Sequence, residues 1–154
     1  MPIFHSSCHC GNLQAELETD LRAEELTLRA CQCSFCARHR ARTVTDPSGR
    51  ARIRVADPGL LSRYQWNLRS AEFLVCKRCG NYLGCAMRVG SGWVASLNAN
   101  LFAEAAQLTH PAIEVSYDAE TLEQRRRRRA QNWTPAIWDD DQPGERRARR
   151  PTPS

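Results

Sequence analysis

The spacing of the cysteines is the feature that most constrains this chain. Eight cysteines occur in 154 residues, and seven of them fall in three tight groups. The groups are CxC (Cys8 and Cys10), CxCxxC (Cys31, Cys33 and Cys36) and CxxC (Cys76 and Cys79). Two thiols separated by one or two residues would close a strained small ring as a disulfide, whereas a metal ion accepts this spacing readily. The grouping therefore predicts metal ligands rather than a disulfide framework.

The first and last groups together predict a closed zinc site. Cys8 and Cys10 can aim at one ion, because residues i and i+2 of an extended chain point to the same face. Zinc prefers a tetrahedron of thiolates about 2.3 Å away, so Cys76 and Cys79 are the natural partners. A glycine follows each pair and permits the left-handed turn in which backbone N–H groups point at sulfur. We expect a structural site that joins two distant parts of the chain.

The middle group predicts an open zinc site. Cys31, Cys33 and Cys36 can hold one ion but do not complete its tetrahedron. The fourth position is left to water, an exogenous thiol, His39 or Cys85. Three protein ligands with one exchangeable position are typical of catalytic zinc, so these three cysteines and His39 are the candidate catalytic residues. We expect His39 beside the ligands rather than on the ion, and Cys85 as a packing residue of the core.

Basic residues near the ligand groups give the open site a second predicted property. Three thiolates on a divalent ion leave a net charge of −1, which neighbouring cations could offset, or those cations could hold a substrate carboxylate. The candidates are Arg38, Arg40, Arg42, Lys77 and Arg78. His9 lies between two predicted ligands and is expected to face away from the ion.

Alternating apolar residues predict a mainly β fold. Strands are expected within residues 12–19, 25–31, 51–56 and 71–76, with Gly and Pro turns between them. This favours a sandwich-like or barrel-like zinc-binding core over residues 1–110. A short helix is expected after Asn98, and a longer one from Asp118 as its N-cap within an extension over residues 111–138. Residues 139–154 lack apolar residues to bury and are expected to be a disordered tail.

The net charge of +5 does not by itself predict a nucleic-acid partner. Five consecutive arginines at residues 125–129 stand among nearly equal numbers of acids, so we expect them at the solvated end of a helix. Trp133 and Trp138, beyond this run, are expected to pack back onto the sheet. No apolar run reaches the roughly 18 residues of a membrane span, and no signal peptide is apparent, so the sequence favours a cytoplasmic protein.

The seven cysteines in this order resemble the glutathione-dependent formaldehyde-activating enzyme family, which includes centromere protein V. The resemblance covers residues 7–102 and implies a zinc-bearing β-tent fold. It also implies structural zinc on Cys8, Cys10, Cys76 and Cys79, and active-site zinc on the middle group. The implied reaction is that of a carbon–sulfur lyase, which forms or cleaves an S-hydroxymethyl thiol adduct such as S-hydroxymethylglutathione. The partners would then be a small thiol such as glutathione and an aldehyde.

Two other classes of function remain open at this stage. The chain could be a non-catalytic zinc module that binds a protein or a nucleic acid through its basic surface. It could also be a redox or metal sensor in which the three-thiolate site releases zinc on oxidation. The sequence leaves open the aldehyde, the thiol, the direction of reaction and the oligomeric state.

Overall fold

The computed structural model describes residues 2–138 and is mainly β, as the sequence predicts. Its eleven described strands belong to one connected sheet. The strands are β1 (Ile3–Ser7), β2 (Leu13–Glu18), β3 (Arg29–Cys31), β4 (Thr43–Val44), β5 (Arg50–Val55), β6 (Leu61–Tyr64), β7 (Glu72–Cys76), β8 (Tyr82–Val89), β9 (Gly92–Asn98), β10 (Ile113–Val115) and β11 (Thr134–Trp138). The two α-helices are α1 (Ser34–His39) and α2 (Leu122–Asn132).

Strand β9 is the junction of the sheet. One of its edges pairs with β8 along most of its length. The other edge is shared, with β11 on the first half of β9 and β4 on the second half. From β11 the sheet continues through β5 to β2 and β1, and from β4 it continues through β3 to β10. Beyond β8 come β7 and β6. This branching lets the sheet curl around more than one core.

Two clusters of buried side chains result. The larger lies between the β1–β2–β5–β11 part of the sheet and the rest, and includes Leu13, Leu17, Ile53 and Leu97. The smaller one contains Tyr82, Cys85, Met87 and Val94 from β8 and β9, together with Cys36, Ala41 and Ala71. Both faces of β8 are buried, since one faces each cluster. The middle cysteine group packs against the smaller cluster.

Residues 111–138 contribute two strands to the sheet. Strand β10 pairs in parallel with β3, and β11 lies between β5 and β9. The sheet thus joins segments on both sides of the sequence-based division at residue 110. The prediction that the two tryptophans pack back is confirmed, because Trp138 is 2% exposed with its ring 5.1 Å from that of Trp93, and Trp133 packs against the smaller cluster. The expected tail, residues 139–154, lies outside the described residues.

Strands within residues 12–19, 51–56 and 71–76 are confirmed as β2, β5 and β7, but residues 25–31 form a strand only at β3. The preceding stretch contains a 3-10 turn at Ala23–Glu25 instead. The helix expected after Asn98 is also wrong, because that stretch is two separate 3-10 turns, at Ala99–Leu101 and Ala105–Gln107. Asn98 caps the first of these turns, because its side-chain oxygen accepts the N–H of Asn100.

Helix α2 is present but begins later than expected. Its N-cap is Thr121 rather than Asp118, and the Thr121 hydroxyl accepts the N–H of Gln124. The Gln124 side chain in turn accepts the N–H of Thr121, which completes a capping box. A threonine three residues before a glutamine carries this signal, which outweighs a lone aspartate. Among residues 2–138, no helix is long and apolar enough to cross a membrane.

Candidate metal centres and the adjoining cavity

The four cysteines of the first and last groups converge as predicted. Their sulfurs all lie within 4.8 Å of one another. The Sγ atoms of Cys8 and Cys10 are 3.7 Å apart, and those of Cys10 and Cys76 are 3.5 Å apart. A tetrahedron with zinc–sulfur bonds of about 2.3 Å has sulfurs about 3.8 Å apart, so the donor set fits a zinc ion. These cysteines could hold a metal between the end of β1 and the β7–β8 turn.

Two tight turns shape the four-cysteine group. Gly11 and Gly80 have φ angles of +86° and +80°, which favour glycine, although an added Cβ would meet nothing within 4 Å. In one turn the N–H of Leu13 donates to Cys8 Sγ at 3.2 Å. Cys8 and Cys10 therefore share a target through a turn rather than through the extended strand that the sequence suggested. Such N–H groups stabilise sulfur in its thiolate form.

Asn81 is a part of this site that sequence reasoning missed. Its side-chain oxygen accepts the N–H of His9 at 2.7 Å and lies 3.7 Å from Cys79 Sγ. The amide thereby ties the two turns together beside the ligands. His9 itself is exposed and outside the ligand group, as expected. An asparagine directly after CxxCG was the available signal.

The middle group also converges. The sulfurs of Cys31, Cys33 and Cys36 lie within 4.8 Å of one another. Cys31 ends β3, Cys33 is the N-cap of α1, and Cys36 lies in that helix and is only 6% exposed. The Cys33 sulfur accepts the N–H of Cys36 at 3.3 Å. A strand end followed by one helical turn thus brings three thiols together, and this group could hold a second metal ion.

The three sulfurs of this group differ in their protonation. Hydrogen bonds with Cys31 and Cys36 lower the pKa of Cys33 to about 2. Hydrogen bonds with Cys31 and Cys33 raise the pKa of Cys36, and a hydrogen bond with Cys33 raises the pKa of Cys31. Without a metal ion the group carries one thiolate at neutral pH. A metal that binds all three sulfurs must displace two protons.

A cavity of about 490 Å³ adjoins the three-cysteine group. Cys31, Cys33 and Cys36 all line this cavity, whereas none of the cysteines of the four-cysteine group does. The volume lies within the range of about 300–1,000 Å³ that is typical of small-molecule sites. Aromatic rings make up much of the wall, from Trp66, Phe73, Tyr82, Tyr117 and Trp133. The two cysteine groups therefore differ in what lies beside them as well as in their number of ligands.

Phe35, which lies between Cys33 and Cys36 in α1, packs against two aromatic residues of the cavity wall, Phe73 and Tyr82. The Phe35 ring lies 4.6 Å from that of Phe73 and 4.9 Å from that of Tyr82, edge to face. Burial raises the pKa of Tyr82 well above its ordinary value, so its hydroxyl stays neutral. These rings and the three cysteines belong to the same packed cluster of side chains.

The arginine run is not merely a solvated helix end, which corrects the sequence-based expectation. Arg125, Arg128 and Arg129 fall on one face of α2 and line the cavity, because positions i, i+3 and i+4 of a helix are neighbours. Arg129 is 8% exposed. Arg126 and Arg127, on the other side of the helix, are exposed. Five identical residues carry no periodicity, so the sequence could not indicate which of them face inward.

The basic residues that the sequence placed near the ligands do not line this cavity. Arg38 is exposed and donates to the Ser34 carbonyl, and Arg42 donates to Asn100 Oδ1 at 2.6 Å. The cationic wall instead combines one arginine of β3, two residues before Cys31, with three arginines of α2 that are far from the cysteines in sequence. Its arginines are Arg29, Arg125, Arg128 and Arg129, none of which is Arg38, Arg40, Arg42, Lys77 or Arg78.

His39 and Cys85 are both absent from the group of mutually close ligand atoms. His39 is exposed, stacks on Phe35 at 4.6 Å, and does not line the cavity. The structure therefore does not bring it to the place where a general base would act. Cys85 is buried in the smaller core cluster, as expected, and also contributes to the cavity wall.

No protein-family model matches this chain. Among solved structures, the chain is similar to the crystal structure of a Rhodobacter sphaeroides protein, a structural-genomics target. The two share 26% sequence identity with a TM-score of 0.54, and the match covers 72% of this chain and 99% of the other. The likeness concerns the architecture and assigns no activity.

Proposed function

We propose that this protein is a zinc-dependent carbon–sulfur lyase that forms or cleaves an S-hydroxymethyl thiol adduct of the S-hydroxymethylglutathione type. One observation carries the proposal: the cysteine group that lacks a fourth ligand is the one that opens on the cavity. A structural zinc site is closed by four protein ligands, and a catalytic one keeps an exchangeable position. The resemblance of the cysteine spacing to formaldehyde-activating enzymes supports the same assignment.

Under this proposal the fourth position belongs to the substrate. Neither His39 nor Cys85 lies close enough to all three sulfurs to belong to the ligand group. Of the four alternatives that the sequence left open, an exogenous thiol or a water molecule remains. The cavity beside the sulfurs has room for a thiol of the size of glutathione, and its aromatic wall suits an organic ligand better than a single water.

The reaction forms a C–S and an O–H bond and breaks an S–H bond and the π bond of the C=O group. In the forward direction the thiol releases its proton to solvent, its thiolate sulfur attacks the aldehyde carbon, the π pair moves to oxygen, and that oxygen takes up a proton from solvent. In the reverse direction the proton leaves the hydroxyl, the C=O bond re-forms and the C–S bond breaks. A zinc ion held here would keep the thiol deprotonated at neutral pH and would act as a Lewis acid.

The residues of this chain orient the reactants. Cys31, Cys33 and Cys36 fix the direction from which a fourth sulfur can approach. Phe73 and Tyr82 line the cavity with apolar surface, and a bound ligand that displaces water there would strengthen the charge interactions inside. The arginines of α2 present positive charge on the wall. No side chain of this wall is assigned as a general base.

A nucleic-acid role for the arginine run is less well supported. A surface that binds phosphates presents its cations outward along one face. Here three of the five arginines line the cavity, and Arg127 is tied to Glu123 at 2.8 Å. We therefore assign the inward-facing arginines to the small-molecule cavity.

The test follows exchange between hydrated formaldehyde and S-hydroxymethylglutathione by carbon-13 exchange NMR, because the adduct also forms without a catalyst. The zinc-loaded protein should accelerate this exchange in proportion to its concentration. Cys33→Ser should abolish the acceleration, since it removes one ligand while serine can still cap α1. Arg126→Gln, on the exposed face of α2, is the control and should retain it. Equal acceleration by the Cys33→Ser protein would contradict the proposal.

A further inference from the structure

Arg129 is the most unusual charged residue of the cavity wall. It is 8% exposed, and its only hydrogen bond among residues 2–138 runs from Nη1 to Ser70 Oγ at 2.7 Å. An arginine offers five N–H donors, and the buried Nε of Arg129 has no partner. Burial lowers the pKa of Arg129, since water no longer solvates its charge. The guanidinium carbon of Arg129 lies over the Trp133 ring at 4.9 Å, but a ring face does not neutralise the charge. A buried cation without a carboxylate partner is costly unless something else supplies the anion.

The neighbouring arginines are already partnered. Arg128 makes a bidentate pair with Glu120 at 2.9 and 3.0 Å and lies over the Tyr117 ring. Arg125 donates to the Tyr117 carbonyl, and its Nε lies 3.7 Å from Glu120. These contacts fix α2 against the β10–α2 connection. Arg129 has no such carboxylate in the described part of the chain.

The charges around the cavity leave room for one more anion. Four arginines line it, together with Asp118, and Glu120 pairs with two of those arginines. Three thiolates on a divalent ion add one further negative charge. One positive charge then remains before any ligand binds, so the cavity favours a ligand that carries an anionic group. Trp66 also lines the cavity, and its buried indole N–H has no partner.

We propose that Arg129 binds a carboxylate of the substrate, so that the preferred ligands of this cavity are thiols that carry an acid group. This inference rests on the proposed function, because the sulfur of the same ligand would occupy the fourth position of the three-cysteine metal. The planar guanidinium matches a carboxylate in a bidentate pair. Arg129 and the metal thus hold the two ends of one ligand, and Arg129 determines specificity.

The test uses a pair of ligands that differ only in charge. Calorimetry on the zinc-loaded full chain compares 3-mercaptopropionate with its methyl ester. The acid should bind about 10- to 100-fold more tightly, which is the effect of one charge-assisted pair. Arg129→Gln should reduce this ratio to nearly one, and Arg126→Gln should preserve it. Equal binding of acid and ester by the unaltered protein would overturn the inference.

Zinc content and circular dichroism verify that each variant is folded. Arg129→Lys keeps the positive charge but loses the planar pair of N–H donors. It should give an intermediate ratio of acid to ester binding, and it remains usable if Arg129→Gln fails to fold. Inorganic phosphate should compete less well than acetate, and the opposite order would overturn the assignment to a carboxylate. Propionate, which lacks sulfur, separates the two proposals. If it binds as tightly as 3-mercaptopropionate, the carboxylate site stands and the thiol–metal function fails.

Discussion

The two cysteine groups offer the same kind of donor atom but differ in the number of sulfurs and in how the fold assembles them. The four-cysteine group joins the turn after β1 to the β7–β8 turn. Cys10 in the first turn and Cys76 at the second are 66 residues apart in the sequence. The three-cysteine group is local, and its ligands come from a strand end and the helix that follows. A closed group can stabilise the fold but cannot admit a substrate. A local group with a missing ligand adds less to stability and leaves the metal accessible.

The surroundings of the two groups reinforce this difference. Turns and an asparagine side chain hold the first group, and two of its cysteines are buried. Aromatic rings, arginines and a cavity surround the second. The number of cysteines and their surroundings therefore support the same proposal, a structural role for the four-cysteine group and a substrate-binding role for the three-cysteine group.

The largest effect should come from breaking the closed group. Cys76→Ser removes a ligand that is 1% exposed and leaves a polar atom among three thiols. Structural zinc supplies much of the folding free energy of small zinc domains, so we expect a loss on the order of 5 kcal/mol or more. Thermal unfolding followed by circular dichroism should show a midpoint lowered by at least about 10 °C.

Cys33→Ser is the matched change in the open group. Serine retains the N-cap acceptor of α1, and the site borders a cavity, so we expect a loss below about 2 kcal/mol. Zinc content should fall by one ion per chain. If the two variants were destabilised equally, the division into a structural and a functional site would be wrong.

Acidification should weaken metal binding at the open group steeply. Raised pKa values keep Cys31 and Cys36 protonated at neutral pH, and Cys33 is already a thiolate. Because zinc must displace two protons, its affinity should fall about 100-fold for each pH unit of acidification. Competition with a chelator on the intact protein, followed for the more weakly held of the two ions, would measure this slope. A slope of three protons would show that Cys33 is also protonated.

The smallest effect should come from Cys85, the cysteine outside both groups. Cys85→Ala should leave two zinc ions per chain, since its sulfur is not among the mutually close ligand atoms. Removing a buried sulfur should lower the unfolding free energy by about 1 kcal/mol. Metal analysis by mass spectrometry decides the point, and loss of one zinc would identify Cys85 as the missing fourth ligand.

Much of the convergence of the cysteines could be predicted from the sequence, because the spacing within each group is a local property. CxC, CxCxxC and CxxC each specify a turn that brings sulfurs together, and the strands of β2, β5 and β7 follow from alternation. The cavity could not be predicted in the same way. Its wall combines Arg29, from the same strand as Cys31, with Trp66 and one face of α2. Helix α2 lies between β10 and β11, and the pairing of these two strands brings it to the cysteines.

The misassigned arginines illustrate the limit. Arg38 and Arg42 are close to the ligands in sequence, but local hydrogen bonds turn them elsewhere. Arg129 is 93 positions beyond Cys36, yet it shares the cavity with it. Closeness in the sequence therefore predicts which cysteines converge within one group. It predicts poorly which distant residues, such as those of α2, complete the cavity wall.

The most direct test of the central claim is X-ray absorption at the zinc edge, recorded on the two-zinc protein before and after addition of glutathione. We expect one of the two ions to gain a fourth sulfur at about 2.3 Å while the other keeps its four. The same titration of the Cys33→Ser protein should show no gain. If both ions already have four sulfurs before glutathione is added, the open site does not exist, and if neither changes afterwards, glutathione does not occupy it. Either result contradicts the proposed function.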